Sequence, residues 1–150
     1  MYTLKRELLV DTTLEKAWNF ISRPENLNLI TPDDLSFEII SDVPDQMFNG
    51  LLVEYRVTIP VIGAQRWISE IKHIKPNHSF VDEQRVGPYK LWYHFHKIEE
   101  VEGGVLFTDE VTYEPPFLVF GQIANAVFIR RTLDRIFDYR TERFSELLAN

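Results

Sequence analysis

The chain has 150 residues, a length that suits one domain with its own hydrophobic core. Sixteen basic residues stand against 23 acidic ones, which gives a formal net charge of −7. This acidic balance, without a Lys/Arg cluster, argues against nucleic-acid binding and against docking on anionic membranes. The absence of Cys excludes disulfides, thiolate metal sites and a Cys nucleophile. No apolar run suits a signal peptide or a membrane span, so we expect a cytoplasmic protein without membrane insertion.

The first part of the chain predicts a strand followed by two short helices. The strand covers residues 2–10. Thr12 and Glu15 have capping-box spacing and are expected to start the first helix. Residues 22–29 predict a second, short helical turn, and Thr31-Pro32 ends it because a residue before proline avoids the helical conformation.

From residue 35 to residue 114 the chain predicts strands separated by tight turns. Asn49-Gly50, Gly87-Pro88 and Gly103-Gly104 are among the turn markers. The predicted strands are 35–42, 51–59, 66–74, 79–86, 90–99 and 104–114. Because the connections between them are short, an antiparallel meander is the expected topology.

After Pro115-Pro116 the apolar residues recur with helical spacing, which predicts a long C-terminal helix. Its apolar stripe consists of Ile123, Val127, Leu133, Ile136, Phe137, Phe144, Leu147 and Leu148. Arg130, Arg131 and Arg135 lie off this stripe and are expected on the solvated face. The predicted fold is α+β, a curved seven-stranded antiparallel sheet around this helix, in one domain over residues 1–150. One helix is too narrow to fill such a sheet, so we expect a cavity between them.

Alternation along the strands predicts which side chains face the helix. If Glu99 and Gly104 close the last hairpin, the partners are Trp92 with Val111, His94 with Asp109, His96 with Phe107, and Ile98 with Val105. This set is the more apolar one and should face inward. The same alternation, carried back through the earlier hairpins, adds Leu51, Val53, Tyr55, Val57, Ile59, Trp67, Ser69, Ile71, His73, Phe80, Asp82 and Gln84.

The predicted inner face combines aromatic side chains with one island of polar groups. Arg140 shares the helix stripe of Phe137 and Phe144, and it is expected to pair with buried Asp residues, since unpaired buried charges are costly. The aromatic residues suit a cavity wall or a plain core equally well. The predicted ligand-binding set is Tyr55, Trp67, Asp82, Gln84, Trp92, His94, His96, Asp109, Tyr113 and Arg140.

The two histidines allow three interpretations. They can satisfy buried carboxylates, which is the interpretation we favour. His94 and His96 could instead bind a metal ion with Asp109, in a two-His-one-carboxylate set, a weak alternative on spacing alone. His94 with Asp109 could also act as acid–base pair of an enzyme. No catalytic residue is assigned, no cofactor is expected, and neither a nucleophile-elbow Ser nor a phosphate-binding glycine loop is present.

Several segments resemble the START-like superfamily, also called SRPBCC, which includes polyketide cyclases and the Bet v 1 allergens. They are residues 25–32 with Leu35 and Phe37, the string DEQRVGPYKLWYHFHKI at 82–98, DEVTYEPP at 109–116, and Arg140 after Phe137 and Tyr139. The resemblance is to a bacterial ligand-binding branch and covers essentially the whole chain. It implies a helix-grip fold with a deep hydrophobic cavity, and it brings no established catalytic residues. The connection from Ile59 to Arg66 is longer than this resemblance leads us to expect.

The sequence therefore favours binding or carriage of a hydrophobic small molecule, lipid-like or polycyclic and aromatic, by a monomer or weak homodimer. Two other classes of function stay open. One is a cyclase, aromatase or hydrolase that uses His94 and Asp109, although we lean against an enzyme. The other is a protein-interaction module with a vestigial cavity.

Overall fold

The structure is a computed structural model that describes residues 1–35, 37–59, 63–115 and 122–150, with side chains in the last range from residue 126 onward. In chain order the elements are β1 (Tyr2–Val10), α1 (Leu14–Ile21), two 3-10 helices (Pro24–Ile30 and Asp33–Leu35), β2 (Glu38–Ile39), β3 (Leu52–Ile59), β4 (Gly63–Lys75), β5 (Ser79–Val86), β6 (Leu91–Val101), β7 (Gly104–Glu114) and α2 (Gln122–Leu148). The predicted α+β element order is confirmed, and the 3-10 helix at Asp33–Leu35 is an addition to it.

The seven strands form one curved antiparallel sheet in the order β1-β7-β6-β5-β4-β3-β2. Strands β2 to β7 are a meander, as the short connections predicted. Strand β1 pairs with β7, from Tyr2 opposite Tyr113 to Val10 opposite Val105, and so brings the start of the chain beside its last strand. The concave face of this sheet holds α2.

The strand predicted over 35–42 is wrong for most of its length. Within the described residues Glu38–Ile39 pairs with β3, and Leu35 belongs instead to the helical turn Asp33–Leu35, which buries it. The backbone N–H of Ile40 donates one more hydrogen bond, to the carbonyl of Glu54, and residue 36 lies outside the described part of the chain. Strand β4 begins earlier than predicted, and its ladder with β3 extends to Ile59 opposite Gly63. In the connection from Ile59 to Arg66, residues 63–65 therefore belong to β4, and residues 60–62 lie outside the described part of the chain.

The inner face predicted for β4 is correct at Trp67, Ser69 and Ile71, which are buried, and wrong at His73, which is exposed. The ladder between β4 and β5 is irregular between Lys72 and Lys75, and His73 has a φ of 55°. An extra residue in one strand reverses the alternation beyond it. Ile74 consequently packs against the core in the place expected for His73.

The predicted register of the last hairpin is wrong by two residues. Val101 pairs with Gly104, so Trp92 lies opposite Tyr113, His94 opposite Val111, and His96 opposite Asp109. A shift of two residues preserves the side of the sheet on which each side chain lies. The inward faces predicted for β6 and β7 are therefore confirmed although the pairs are not.

Helix α1 begins one residue later than predicted. Thr13, not Thr12, is the N-cap, and its side chain accepts a hydrogen bond from the backbone N–H of Lys16 at 3.3 Å. Thr12 is buried, and its hydroxyl has no hydrogen-bond partner within the described residues. The expected capping box with Glu15 is therefore absent, because the residue three positions after the true cap is Lys16.

The concave side contains two groups of buried apolar side chains. The larger group, which we call the cavity group, joins β3, β4, β6 and the middle of α2 and includes Val53, Trp67, Trp92 and Phe137. The smaller one, the end group, joins α1, the ends of β1 and β7, and the last turns of α2. Its members are Val10, Ala17, Ile30, Ile98, Val105, Phe107, Phe144 and Leu148.

The predicted apolar stripe of α2 is correct at Leu133, Phe137, Phe144 and Leu148, which are buried. Val127 and Leu147 are exposed at 48% and 40%, so their place in the stripe is wrong. Ile129 is buried instead of Val127. In a helix of 27 residues the buried stripe drifts around the helix axis, because 3.6 residues per turn do not match a fixed residue spacing. The side chain of Ile123 lies outside the described residues, and the three arginines predicted on the solvated face are exposed.

Gly104 starts β7 at a point where the chain passes very close to the end of β1. Its φ is +138°, and a Cβ there would lie 2.0 Å from the carbonyl oxygen of Val10.

We predict that Gly104→Ala lowers the free energy of unfolding by about 3 kcal/mol or more, from backbone strain and steric overlap. Gly50→Ala is the matched control, because φ is +90° there and nothing lies within 4 Å of the added Cβ. Its expected cost is about 1–2 kcal/mol. Equal losses for the two variants in urea unfolding would contradict the role of the close approach.

Candidate functional site

A cavity of about 190 Å³ lies between the sheet and α2. Aromatic side chains supply much of its wall, namely Phe20, Phe37, Tyr55, Trp67, Phe80, Tyr89, Trp92 and Phe137. Aliphatic residues of α1, the first 3-10 helix, β3 and α2 supply most of the rest. The cavity reaches the surface beside the first 3-10 helix, where Arg23 lines it with a side chain that is 46% exposed. This combination of apolar walls and an opening is typical of a small-molecule site.

Seven of the ten predicted ligand-binding residues line this cavity. They are Tyr55, Trp67, Asp82, Trp92, His94, His96 and Arg140. Asp109 contacts both histidines but is not among the described lining residues. Tyr113 is buried behind Trp92, at 6.3 Å between ring centroids. Gln84 faces the turn between β5 and β6. Ligand contact by all ten therefore stays a prediction, and the geometry supports it for the seven.

Tyr89 is a lining residue that the sequence analysis missed. Its ring lies 5.0 Å from that of Trp92 and 5.7 Å from that of Trp67, measured between centroids. Gln84 holds this part of the chain, because its amide donates to the carbonyl of Tyr89 at 2.7 Å and accepts from the backbone N–H of Tyr89 at 3.1 Å. The sequence feature that could have identified Tyr89 is its position as an aromatic residue directly after the Gly87-Pro88 turn.

A cluster of five charged or titratable side chains forms the buried polar end of the cavity. We call it the carboxylate–imidazole cluster, and it consists of Asp82, His94, His96, Asp109 and Arg140. His94 Nε2 lies 2.8 Å from Asp109 Oδ1, and His94 Nδ1 lies 3.4 Å from Asp82 Oδ2. His96 contacts the same two carboxylates, Asp82 Oδ2 through Nε2 and Asp109 Oδ1 through Nδ1 at 3.1 Å. Each imidazole thus bridges both carboxylates.

Arg140 closes the cluster from the helix side, as its place beside Phe137 and Phe144 predicted. Its Nη2 lies 3.5 Å from Asp109 Oδ1 and 3.5 Å from His96 Nδ1. The guanidinium also packs over the rings of Phe137 and Phe144, at 5.7 and 5.4 Å from their centroids. The predicted ion pair between Arg140 and a buried Asp is therefore confirmed for Asp109.

The cluster lies where the cavity group meets the end group. On α2, Arg140 separates Phe137 of the cavity group from Phe144 of the end group. On β7, Asp109 separates Val111 of the cavity group from Phe107 of the end group. The cluster therefore marks the depth at which the concave side changes from an open cavity to a solid core.

Ring stacking fixes the orientation of both imidazoles. His96 stacks on Phe80 with centroids 4.3 Å apart and planes 11° apart. His94 packs against His96, with centroids 3.7 Å apart, and meets Phe137 edge to face at 5.7 Å. Because these rings are wedged between aromatic neighbours, their nitrogens are aimed at the carboxylates before any ligand enters.

The charges of the cluster balance when one histidine is protonated. Burial alone would raise the pKa of Asp109, but Arg140 and hydrogen bonds from His94 and His96 hold it well below its usual value. The pKa of Asp82 is also lowered, since His94, His96 and Arg140 outweigh its burial. Burial and the neighbouring His96 lower the pKa of His94. Hydrogen bonds to Asp109 and Asp82 raise the pKa of His96 in spite of its burial. These shifts favour the ionised form of both carboxylates, and His96 is the imidazole whose charged form they favour.

The metal interpretation stays a prediction, and the geometry changes its ligand set. The described residues that could hold an ion are Asp82, His94 and His96, whose candidate ligand atoms lie within 4.8 Å of one another. Asp82 thus takes the place predicted for Asp109. The two imidazole planes are 33° apart at a centroid separation of 3.7 Å, and the nitrogens of both rings already face shared carboxylate oxygens, Asp82 Oδ2 on one side and Asp109 Oδ1 on the other. Pairing with carboxylates fits this stacked arrangement better.

No protein-family model and no curated protein sequence matches the chain. Solved structures match it along nearly all of its length. Protein CV1439 from Chromobacterium violaceum has a TM-score of 0.77 and 8% identity, and the match covers 100% of this chain and 99% of that chain. A START superfamily protein from Mycobacterium smegmatis has a TM-score of 0.67 and 14% identity, over 98% of this chain and 99% of that chain. Ara h 8.0201 has a TM-score of 0.61 and 13% identity, over 94% and 95% of the two chains.

At these identities the likeness shows the fold. The chain has the START/Bet v 1-like helix-grip fold, in which a curved seven-stranded sheet holds a long C-terminal helix. The fold that the sequence motifs predicted is therefore confirmed. Within the described residues, no helix is both long enough and apolar enough to cross a membrane.

The pKa of Asp109 makes the stability of the fold depend on pH. Because the folded pKa lies below the value near 3.9 of an unfolded Asp, the ionised group contributes stability above about pH 4, and this contribution is lost as the pH falls through the folded pKa. We predict that Asp109→Asn lowers the free energy of unfolding by about 3 kcal/mol or more at pH 7, since it leaves Arg140 without its carboxylate. The difference in the free energy of unfolding between Asp109→Asn and the wild type should become smaller below about pH 4.

Urea unfolding at pH 7, 5 and 3 checks this prediction. Asp138→Asn is the control, because Asp138 is a 72% exposed aspartate on α2, and it should change the free energy of unfolding by less than about 0.5 kcal/mol. A loss in Asp109→Asn that stays constant from pH 7 to pH 3 would show that the charge of Asp109 is not what stabilises the cluster.

Proposed function

We propose that the chain binds or carries a hydrophobic small molecule, lipid-like or polycyclic and aromatic, in the cavity between the sheet and α2. The polar end of the ligand lies at the carboxylate–imidazole cluster. The observation that carries this proposal is the cavity of about 190 Å³, walled by aromatic and aliphatic residues and closed at its inner end by buried polar groups. Apolar surface that leaves water supplies affinity, at roughly 25 cal/mol per Å², and a few fixed polar groups supply orientation.

The volume of the cavity limits the size of the ligand and helps to decide between the possible functions. A cavity of about 150 Å³ is known to hold one benzene molecule, so the 190 Å³ here suits one or two rings or a short chain in this conformation. The open interior also weighs against the third interpretation, a protein-interaction module with a vestigial cavity. Binding is therefore the function that the geometry supports best.

Blocking the cavity should abolish binding. Ile136 lines the cavity from α2, and we predict that Ile136→Trp fills the space and removes any co-purified ligand. Native mass spectrometry of purified wild-type protein should show a bound compound that is missing from this variant. Leu147→Trp is the matched control, because Leu147 lies on the same helix, is 40% exposed and is not a lining residue. A compound retained equally by both variants would place the binding site elsewhere.

An acid–base enzyme is a second candidate, and one observation favours it. His94 lines the cavity and its Nε2 lies 2.8 Å from Asp109 Oδ1, which is the arrangement of a base oriented by a carboxylate. Its lowered pKa keeps the imidazole neutral, as a base requires. Against this, Nδ1 of His94 already faces Asp82 at 3.4 Å, so the ring has no nitrogen that is turned away from a carboxylate.

Hydrolysis of 2-naphthyl acetate separates the two candidates. We predict that a binding protein hydrolyses this ester no faster than its surface histidines do, so that His94→Gln leaves the rate unchanged within about twofold. His78→Ala, at an exposed histidine of the β4–β5 turn, measures the surface contribution. A rate that falls tenfold or more in His94→Gln, with the fold intact by circular dichroism, would favour the hydrolase.

A further inference from the structure

Asp82 is the member of the carboxylate–imidazole cluster that is most open to the cavity. Its side chain is 20% exposed, against 5% for His94, 8% for His96, 13% for Asp109 and 9% for Arg140. The contacts of Asp82 with both imidazoles run through one oxygen, Oδ2. The second oxygen, Oδ1, is therefore the acceptor that the cluster offers to a ligand.

Within the described residues the basic groups of the cluster face its own carboxylates, and Arg140 Nε, which has no hydrogen-bond partner there, is a buried atom. Arg140 lies against Asp109, and His96 bridges Asp109 and Asp82. An ionised carboxylate accepts hydrogen bonds and donates none. A ligand with an O–H group can donate to Asp82 Oδ1 and gain a charge-assisted hydrogen bond. A ligand carboxylate would meet Asp82 as a like charge, in an apolar cavity where it has lost its hydration.

Tyr55 belongs to the same end of the cavity. It is a buried lining residue, and its pKa is raised by its burial and by the charge of Asp82, so its hydroxyl keeps its proton. Tyr55 is thus a neutral group of the cavity wall within the electrostatic reach of Asp82. Asp82 thus contacts two imidazoles, and Arg140 and the neutral Tyr55 lie within its electrostatic reach.

On the basis of the proposed binding function, we propose that the cavity selects neutral ligands with a hydroxyl group at one end of an apolar body of one or two rings. The hydroxyl donates to Asp82 Oδ1, and the apolar body lies along the aromatic wall formed by Trp67, Tyr89 and Trp92. The corresponding carboxylic acids, ionised at neutral pH, are excluded. Asp82 is the residue that determines this specificity.

Three matched compounds test the selection on wild-type protein by isothermal titration calorimetry at pH 7. 2-Naphthol carries the donor, 2-methoxynaphthalene has the same ring and oxygen without the donor, and 2-naphthoate carries the negative charge. We expect 2-naphthol to bind about tenfold more tightly than 2-methoxynaphthalene, and 2-naphthoate to bind more weakly than both. Equal affinities for the first two, or the tightest binding for 2-naphthoate, would overturn the selection and leave the binding function standing.

Failure of all three compounds to bind would instead count against a cavity that accepts ligands of this size, and thus against the proposed function as well. Loss of binding of 2-methoxynaphthalene in Ile136→Trp shows that these compounds occupy the cavity. Different results would therefore contradict the two proposals. Binding of 2-methoxynaphthalene tests whether the cavity accepts ligands, and the added affinity of 2-naphthol tests the hydrogen bond to Asp82.

Asp82→Asn tests the residue itself, since it removes the charge and keeps the size of the side chain. We expect the advantage of 2-naphthol over 2-methoxynaphthalene to disappear and 2-naphthoate to bind about tenfold more tightly than it binds to wild type. Asp138→Asn, the exposed control, should keep the wild-type order of the three compounds. An unchanged order in a folded Asp82→Asn variant would refute the role of Asp82. If this variant does not fold, the wild-type series decides the selection by itself.

Discussion

Two carboxylates are paired with two imidazoles and one guanidinium inside the apolar interior, and much of the structure is arranged around this pairing. The charges of Asp82 and Asp109 are acceptable there because each imidazole contacts both carboxylates and Arg140 reaches in from α2. The contacts tie β5, β6 and β7 to the helix. They also cap the solid end group, so that the space on the other side can remain open without exposing unpaired charge.

The cavity follows from the mismatch between a wide sheet and a single helix. Seven strands spaced by about 4.8 Å form a surface much wider than a helix, whose diameter is about 10–12 Å. At one end α1 and the last turns of α2 fill the difference with the end group. At the other end the sheet carries large aromatic side chains, which pack against one another around the space instead of filling it. The same fold therefore provides a rigid base and a compartment.

Sequence alternation predicted most of the inner face because burial on one side of a sheet imposes a period of two. It succeeded from Leu51 to Val57 and survived the register error at the last hairpin, since that error was two residues. The alternation failed at His73, because the strand has a bulge there and the residue types do not indicate a bulge. Helical spacing placed Arg140 opposite the carboxylates. The different exposures of Asp82 and Asp109 could not be predicted, because they depend on how the sheet curves and on where α2 crosses it.

The pairing of β1 with β7 has a consequence for how the protein folds. Strand β1 leaves the ribosome before the other strands of this sheet and pairs with β7, from Tyr2 opposite Tyr113 to Val10 opposite Val105. Closing a loop of this length costs conformational entropy before any contact compensates for it, and such topologies fold slowly. Synthesis proceeds at about 5–20 residues per second, so β1, with Leu4 and Val10, stays unpaired for seconds until β7 has been made. Their apolar side chains are then available to chaperones, or to other nascent chains, until β7 and α2 arrive.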